Sequence, residues 1–91
     1  MILQQTRTFN NTIKKLHNNQ RLDLNVVIKK IIENPKISQS KKGDLSEVRV
    51  YKFRMLKQLT LLAYLCSEQK NTIILLALGT HENFYRELKR K

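Results

Sequence analysis

The chain has 91 residues, 41% of them hydrophobic, and a chain this short supports one compact core, so we expect a single domain over residues 1–91. Its 18 Lys and Arg against 7 Asp and Glu give a formal net charge of +11, which favours an acidic or polyanionic partner over a merely well-solvated surface. The single cysteine, Cys66, excludes an intramolecular disulfide, and the apolar runs are too short to cross a bilayer. We therefore expect a soluble, cytoplasmic protein without membrane contact.

Two helices are predicted in the first part of the chain. Phe9–His17 carries apolar residues at helical spacing, and a stronger pattern follows from Leu24 to Ile32. Asp23 is the expected N-cap of the second helix, and Asn34-Pro35 is its expected end. The two helices should form a hairpin. Met1–Thr6 before them is predicted as a short strand from a weak pattern.

Strands are predicted in the second part, after a polar loop over residues 37–43. Val48–Arg54 alternates between two faces, with Val48, Val50, Lys52 and Arg54 on one and Arg49, Tyr51 and Phe53 on the other. Gln58–Cys66 and Thr72–Leu78 are apolar enough for central strands, and the short connections at 55–57 and 67–71 suit antiparallel hairpins. Thr80–Lys91 is predicted as a helix capped by Thr80. The expected class is α+β: an N-terminal helical hairpin on a small antiparallel sheet, with a short C-terminal helix.

Metal and nucleotide chemistry find little support in the sequence. The two histidines are far apart, and the seven acids are scattered without ligand spacing. The only glycines, Gly43 and Gly79, do not form a phosphate-binding loop. No metal and no cofactor are expected.

The densest positive charge lies between Lys41 and Lys57, where Asp44 and Glu47 are the only acids. Lys52 and Arg54 share a strand face, and a separation of about 7 Å matches consecutive phosphates of a nucleic acid. The alternative interpretation is a charged strand face that prevents aggregation. The cations of this stretch are Lys41, Lys42, Arg49, Lys52, Arg54 and Lys57.

A second candidate site begins where the last strand passes through Gly79 into the predicted helix. A helix N-terminus can bind a phosphate, and His81 and Tyr85, one turn apart, can face the same ligand. Imidazole exchanges protons near neutral pH, and a phenol can donate to a leaving oxygen. The alternative is a surface histidine and a half-buried core tyrosine.

These segments together resemble the RelE/ParE superfamily of bacterial toxin–antitoxin toxins over essentially the whole chain. The resemblance is carried by the segment order, the Gly43-Asp44-Leu45 entry, the Lys52-Phe53-Arg54 and Leu62-Ala63-Tyr64 strands, and the closing Gly-Thr-His-Glu-Asn-Phe-Tyr. It implies a fold like that of microbial ribonucleases and an acidic cognate antitoxin that binds the toxin in a hetero-oligomer.

The resemblance further implies a mechanism. In RNA-cleaving members of the superfamily, the toxin enters the ribosomal A site and cuts bound mRNA without a metal. Lys52 and Arg54 would hold and stabilise the phosphate, and His81 and Tyr85 would transfer or orient protons. The implied RNA-binding cations are Lys41, Lys42, Arg49, Lys57 and Arg86.

One departure from that pattern keeps other functions open. Many RNA-cleaving relatives have an arginine on the strand that ends near Tyr64, whereas residues 60–62 here are Thr-Leu-Leu. ParE-like members lack the nuclease residues and poison DNA gyrase, so the fold does not choose between enzyme and inhibitor. A non-catalytic RNA-binding module is the third possibility.

Overall fold

The computed structural model describes residues 2–37, 39–40, 48–67 and 70–80. A five-stranded sheet has the strand order β1-β5-β4-β3-β2, and two helices pack on one of its faces. The elements are β1 (Ile2–Gln5), α1 (Arg7–Ile13), α2 (Asn18–Glu33), β2 (Gln39–Ser40), β3 (Val48–Met55), β4 (Gln58–Ser67) and β5 (Thr72–Thr80).

The α+β class is confirmed, but the prediction of an antiparallel sheet is wrong at one edge. β1 pairs with β5 in parallel, from Ile2 opposite Thr72 to Gln5 opposite Leu75, and the other neighbouring strands are antiparallel. The helices that follow β1 carry the chain across the sheet to β2 at the opposite edge. β1 itself was expected, whereas β2 lies in the segment predicted as a loop.

Both helices begin at residues that differ from the predicted ones. Thr6 caps α1, where its Oγ1 accepts a hydrogen bond from the backbone N–H of Phe9 at 3.1 Å. The expected start of α2 at Asp23 is wrong: the helix begins at Asn18, and the backbone N–H of His17 donates to Gln20 Oε1 at 2.9 Å. Apolar periodicity missed this first turn because its residues are polar and mostly exposed.

The end of α2 is as predicted. The helix stops at Glu33, and Asn34 precedes Pro35, which disfavours helical backbone in the residue before it. Pro35 also has a second contact: its carbonyl accepts a hydrogen bond from the hydroxyl of Tyr64 at 2.7 Å. Tyr64 is fully buried, so this bond satisfies a polar group inside the core and fixes the chain after α2 against β4.

The main core lies between the helices and one face of the sheet, which we call the helix face. α2 buries Leu24, Val27 and Ile31 there, one to two turns apart. They belong to a cluster with Phe9, Met55, Leu62, Tyr64, Ile73, Leu75 and Leu78. A second cluster lies on the other face, which we call the far face, and comprises Val48, Val50, Leu61, Ala63 and Ala77.

β4 is the central strand and is buried on both faces from Thr60 to Tyr64, as its uniform apolar pattern predicts. A β-bulge interrupts its register with β5 between Ala63 and Tyr64. The structure thus confirms β4 and β5 as inner strands.

The connection from β3 to β4 is a tight turn of two residues, Leu56 and Lys57, shorter than the predicted one. Both residues have positive φ angles, 51° and 71°, as two-residue hairpin turns of type I′ require. Such turns usually contain Asn or Gly, because other side chains clash with the backbone in this region.

β5 continues through Thr80, two residues beyond its predicted end. Thr80 pairs with Thr60 as part of the sheet, so it is not itself helical, and the helix that it was predicted to cap begins outside the described residues. The remainder of the predicted C-terminal helix lies outside the described residues. Neither α1 nor α2 has the length and apolar content needed to cross a membrane.

Candidate functional site

Strand pairing brings three residues into one row on the far face. Lys52 of β3 pairs with Leu61 of β4, and Leu61 pairs with Gly79 of β5. Neighbouring strands lie about 4.8 Å apart, so the Cα atoms of Lys52 and Gly79 are about 10 Å apart. Arg54 lies two residues further along β3, opposite Leu59. The end of β5 and both cations thus lie at the same end of the sheet.

Lys52 and Arg54 are both exposed on this face, as the alternation of β3 predicts. The guanidinium of Arg54 donates a hydrogen bond from Nη1 to the backbone carbonyl of Lys57 at 3.3 Å. This contact joins the side chain to the turn of its own hairpin. It leaves other guanidinium N–H groups for a ligand, since arginine has five donors.

Next to the two cations, the far face is apolar. Leu61 and Ala63 are fully buried, and Val50, the neighbour of Lys52 on the same face of β3, is 7% exposed. Positive side chains at the border of a packed apolar surface keep their charge in solvent while their stems lie against it. Because these apolar side chains are already buried, the groups that this part of the far face offers to a ligand are the charged ends of Lys52 and Arg54.

Arg49 lies on the opposite side of the sheet from Lys52 and Arg54. Its position in β3 places it with Tyr51 and Phe53, on the helix face. Arg49 is half-buried, and its Nη2 donates to the backbone carbonyl of Lys36 at 3.3 Å. The structure therefore places Arg49 on the opposite face of the sheet from Lys52 and Arg54.

The other predicted site residues fall into two groups. Lys57 is exposed in the turn between β3 and β4, next to the hairpin end that carries Arg54. The rest lie outside the described residues: Lys41, Lys42, His81, Tyr85 and Arg86.

The row of Lys52, Leu61 and Gly79 has a cation only on β3. Leu61 occupies the central position of the row, and the strand register therefore leaves no described cation between Lys52 and β5. The charge contributed by the sheet here comes from Lys52 and Arg54 alone among the residues that the structure describes.

One contact near the site was not predicted from the sequence. The backbone N–H of Leu56 donates to Oδ2 of Asp23 at 3.3 Å, which joins the hairpin turn to α2. The two residues are 33 positions apart, and no local pattern links them. The sequence signal for Asp23 was its capping propensity, which predicted a different role.

No group of three or more His, Cys, Asp or Glu side chains in the described part of the chain is arranged to hold a metal ion.

Comparison with known families gives one match that spans nearly the whole chain. The model of the family described as "ParE-like toxin of type II bacterial toxin-antitoxin system" matches residues 3–89. None of the curated proteins compared with the chain matches it in sequence.

Three solved structures from E. coli share the fold. The intact RelBE toxin–antitoxin complex contains a chain with 19% identity and a TM-score of 0.73, covering 87% of this chain and 94% of its own length. The isolated RelE toxin has 18% identity and a TM-score of 0.73, with coverages of 98% and 96%. A RelE mutant bound to an antitoxin RelBc peptide has 20% identity and a TM-score of 0.71, with coverages of 96% and 92%. At these identities the likeness supports the fold alone.

Proposed function

Because the chain belongs to the ParE-like toxins of type II bacterial toxin–antitoxin systems, we propose that it acts as a toxin by cleaving mRNA on the ribosome. The observation that carries this proposal is the exposed pair of Lys52 and Arg54 on the far face. The pair lies at the sheet end that β5 reaches with Gly79 and Thr80. In sequence, His81 follows directly.

The two cations suit the binding of an RNA phosphate. Lysine offers a compact point charge, and arginine a planar fork of donors that matches phosphate oxygens. Their Cα atoms are about 7 Å apart on one strand face, close to the spacing of consecutive phosphates along a strand. We assign Arg54 to the phosphate that reacts and Lys52 to the same phosphate or its neighbour. The other predicted cations, except Arg49 on the helix face, would bind the RNA backbone further away.

The proposed reaction needs no metal. The ribose 2′-OH loses its proton to a base and attacks the adjacent phosphorus, forming a 2′,3′-cyclic phosphate. The bond from phosphorus to the 5′ oxygen breaks, and that oxygen takes a proton as it leaves. We assign the two proton transfers to His81 and Tyr85 on their chemistry, and stabilisation of the negative charge that builds on the phosphate to Arg54.

A second candidate function follows from Leu61. This apolar residue lies between Lys52 and β5, on the strand where the resemblance leads us to expect an arginine in RNA-cleaving relatives. A toxin with fewer cations around the phosphate suits inhibition of DNA gyrase, the alternative activity in this superfamily.

The two functions are separated by what fails first in cells that express the toxin. An RNA-cleaving toxin should reduce incorporation of labelled methionine before any DNA-damage response appears. Lys52→Ala and Arg54→Ala should relieve this arrest, whereas Lys29→Ala, which removes one exposed cation from α2, should not. Early double-strand breaks with intact mRNA would assign the toxin to gyrase inhibition instead.

We also propose an acidic antitoxin as the partner that offsets the +11 charge. It would cover Lys52 and Arg54 and thereby compete with RNA. Co-expression of the gene adjacent to the toxin gene should relieve growth arrest, and binding of its product should weaken as salt is raised. Continued arrest with both proteins soluble would contradict this assignment.

A further inference from the structure

The turn between β3 and β4 has a backbone conformation that its sequence does not favour. Leu56 and Lys57 both have positive φ angles, 51° and 71°, although each has a side chain that glycine lacks. A turn of this kind requires support from contacts outside its own two residues. The hairpin that it closes carries Lys52 and Arg54.

That support comes from α2. Asp23, half-buried on the helix, accepts a hydrogen bond through Oδ2 from the backbone N–H of Leu56 at 3.3 Å. This bond gives the Leu56 N–H an acceptor that lies outside the turn. Asp23 thus joins the first residue of the turn to an element packed on the core.

The second residue of the turn contacts Arg54. The carbonyl of Lys57 accepts a hydrogen bond from Arg54 Nη1 at 3.3 Å. The orientation of this carbonyl depends on the φ and ψ angles of Leu56 and Lys57. A change in turn conformation would therefore move the acceptor that holds the guanidinium.

We propose that Asp23 is a positioning residue that fixes the Leu56–Lys57 turn and, through the Lys57 carbonyl, the guanidinium of Arg54. This inference rests on the proposed function, because it concerns the residue assigned to the reacting phosphate. Asp23 itself does not touch the RNA.

The first test measures mRNA cleavage by four folded proteins: the parent, Asp23→Ala, Arg54→Ala and the double variant. Asp23→Ala should lower kcat by roughly tenfold with a smaller change in KM, because it misplaces a group that stabilises charge in the transition state. In the Arg54→Ala background the same substitution should have no further effect, because residues that act together are non-additive. Equal effects of Asp23→Ala in both backgrounds would overturn the proposal.

Two further variants separate positioning from a general loss of stability. Asp23→Asn keeps a side-chain oxygen acceptor and should retain most of the activity. Leu56→Gly supplies a residue that favours positive φ and retains Lys57, one of the predicted RNA-binding cations, so this turn replacement should restore activity to Asp23→Ala. If the turn replacement restores the melting temperature without restoring kcat, Asp23 has only a structural role.

The last test does not depend on RNA cleavage. In NMR spectra of the full chain, Asp23→Ala should shift and broaden the Arg54 Nε–Hε resonance and increase hydrogen exchange at the Leu56 amide. The turn replacement should reverse the first effect. If the parent does not cleave mRNA but these spectral changes occur, the proposed function fails while the positioning role stands; an unchanged Arg54 resonance contradicts the positioning role.

Discussion

Thr6 joins α1 to β5 through a single hydroxyl group. Its Oγ1 accepts from the N–H of Phe9 at 3.1 Å and donates to the carbonyl of Leu76 at 2.8 Å, while its own N–H donates to the carbonyl of Leu75 at 3.0 Å. Leu76 is the extra residue at the bulge of β5. Its neighbours Leu75 and Ala77 pair with Tyr64 and Ala63, which are adjacent on β4. Thr6 therefore satisfies a helix N-terminus and an irregular strand position together.

We expect Thr6→Ala to lower the free energy of unfolding by about 1–2 kcal/mol, because it removes an N-cap and a partly buried hydrogen bond. Chemical denaturation followed by circular dichroism measures the change. Thr6→Ser keeps the hydroxyl and should differ from the parent by only a few tenths of a kcal/mol, about what a lost surface contact costs. Equal destabilisation by both variants would show that the methyl group, not the hydroxyl, stabilises this junction.

Strand alternation alone was enough to predict which face of the sheet some residues of the candidate site occupy. Lys52 and Arg54 share an exposed face because side chains two residues apart on a strand point the same way. Arg49 was included among the RNA-binding cations because of its charge, although strand alternation puts it on the helix face with Tyr51 and Phe53. Charge density along a sequence does not distinguish the two faces of a sheet.

The β3–β4 hairpin is the element in which local sequence and backbone agree least. Leu56 and Lys57 adopt positive φ angles that cost non-glycine residues about 1–2 kcal/mol each. We expect the double substitution Leu56→Asn and Lys57→Gly to raise the free energy of unfolding by about 1–2 kcal/mol. Thermal melts of the parent and the variant check this. A lower melting temperature for the variant would mean that the Leu56 and Lys57 side chains stabilise the fold more than their backbone geometry costs.

At the level of elements, the sequence predicted those that have a local signal. The apolar run of β4 and the Asn34-Pro35 stop of α2 are visible within a few residues. The parallel pairing of β1 with β5 joins residues about 70 positions apart, and no short window of sequence encodes it. β2 is a two-residue strand that depends on β3 as its partner, so its polar residues appeared as a loop.

Across the whole molecule, the excess of positive charge predicts binding that depends strongly on salt. Each phosphate neutralised on a single strand contributes about 0.7 to the slope of log K against log salt concentration. Lys52→Ala and Arg54→Ala should each reduce the slope for RNA by about this amount. Lys29→Ala, on α2, should leave it unchanged. Fluorescence anisotropy with a labelled single-stranded RNA at several salt concentrations measures these slopes, and equal reductions for all three variants would show that binding is non-specific.

The family and its fold were predicted from the sequence because the resemblance spans the chain, and the match over residues 3–89 confirms them. Under the proposed function, cleavage of RNA requires several cations around one phosphate. The register that places Leu61 between Lys52 and Gly79 is a property of the assembled sheet. The sequence shows that residues 60–62 contain no arginine, and the sheet shows that Lys52 and Gly79 lie on either side of Leu61.

Cleavage of mRNA by the purified toxin on programmed ribosomes is the direct test of the proposed function. The parent should cut the mRNA when no metal is added beyond what the ribosome retains. The upstream fragment should end in a 2′,3′-cyclic phosphate. Lys52→Ala and Arg54→Ala should each lower the rate by roughly 10²-fold or more, the size expected for loss of a charge that stabilises the transition state, while Lys29→Ala cuts at the parental rate. Intact mRNA with the folded parent toxin would contradict the proposed function, and parental rates for both Lys52→Ala and Arg54→Ala would contradict their assigned roles.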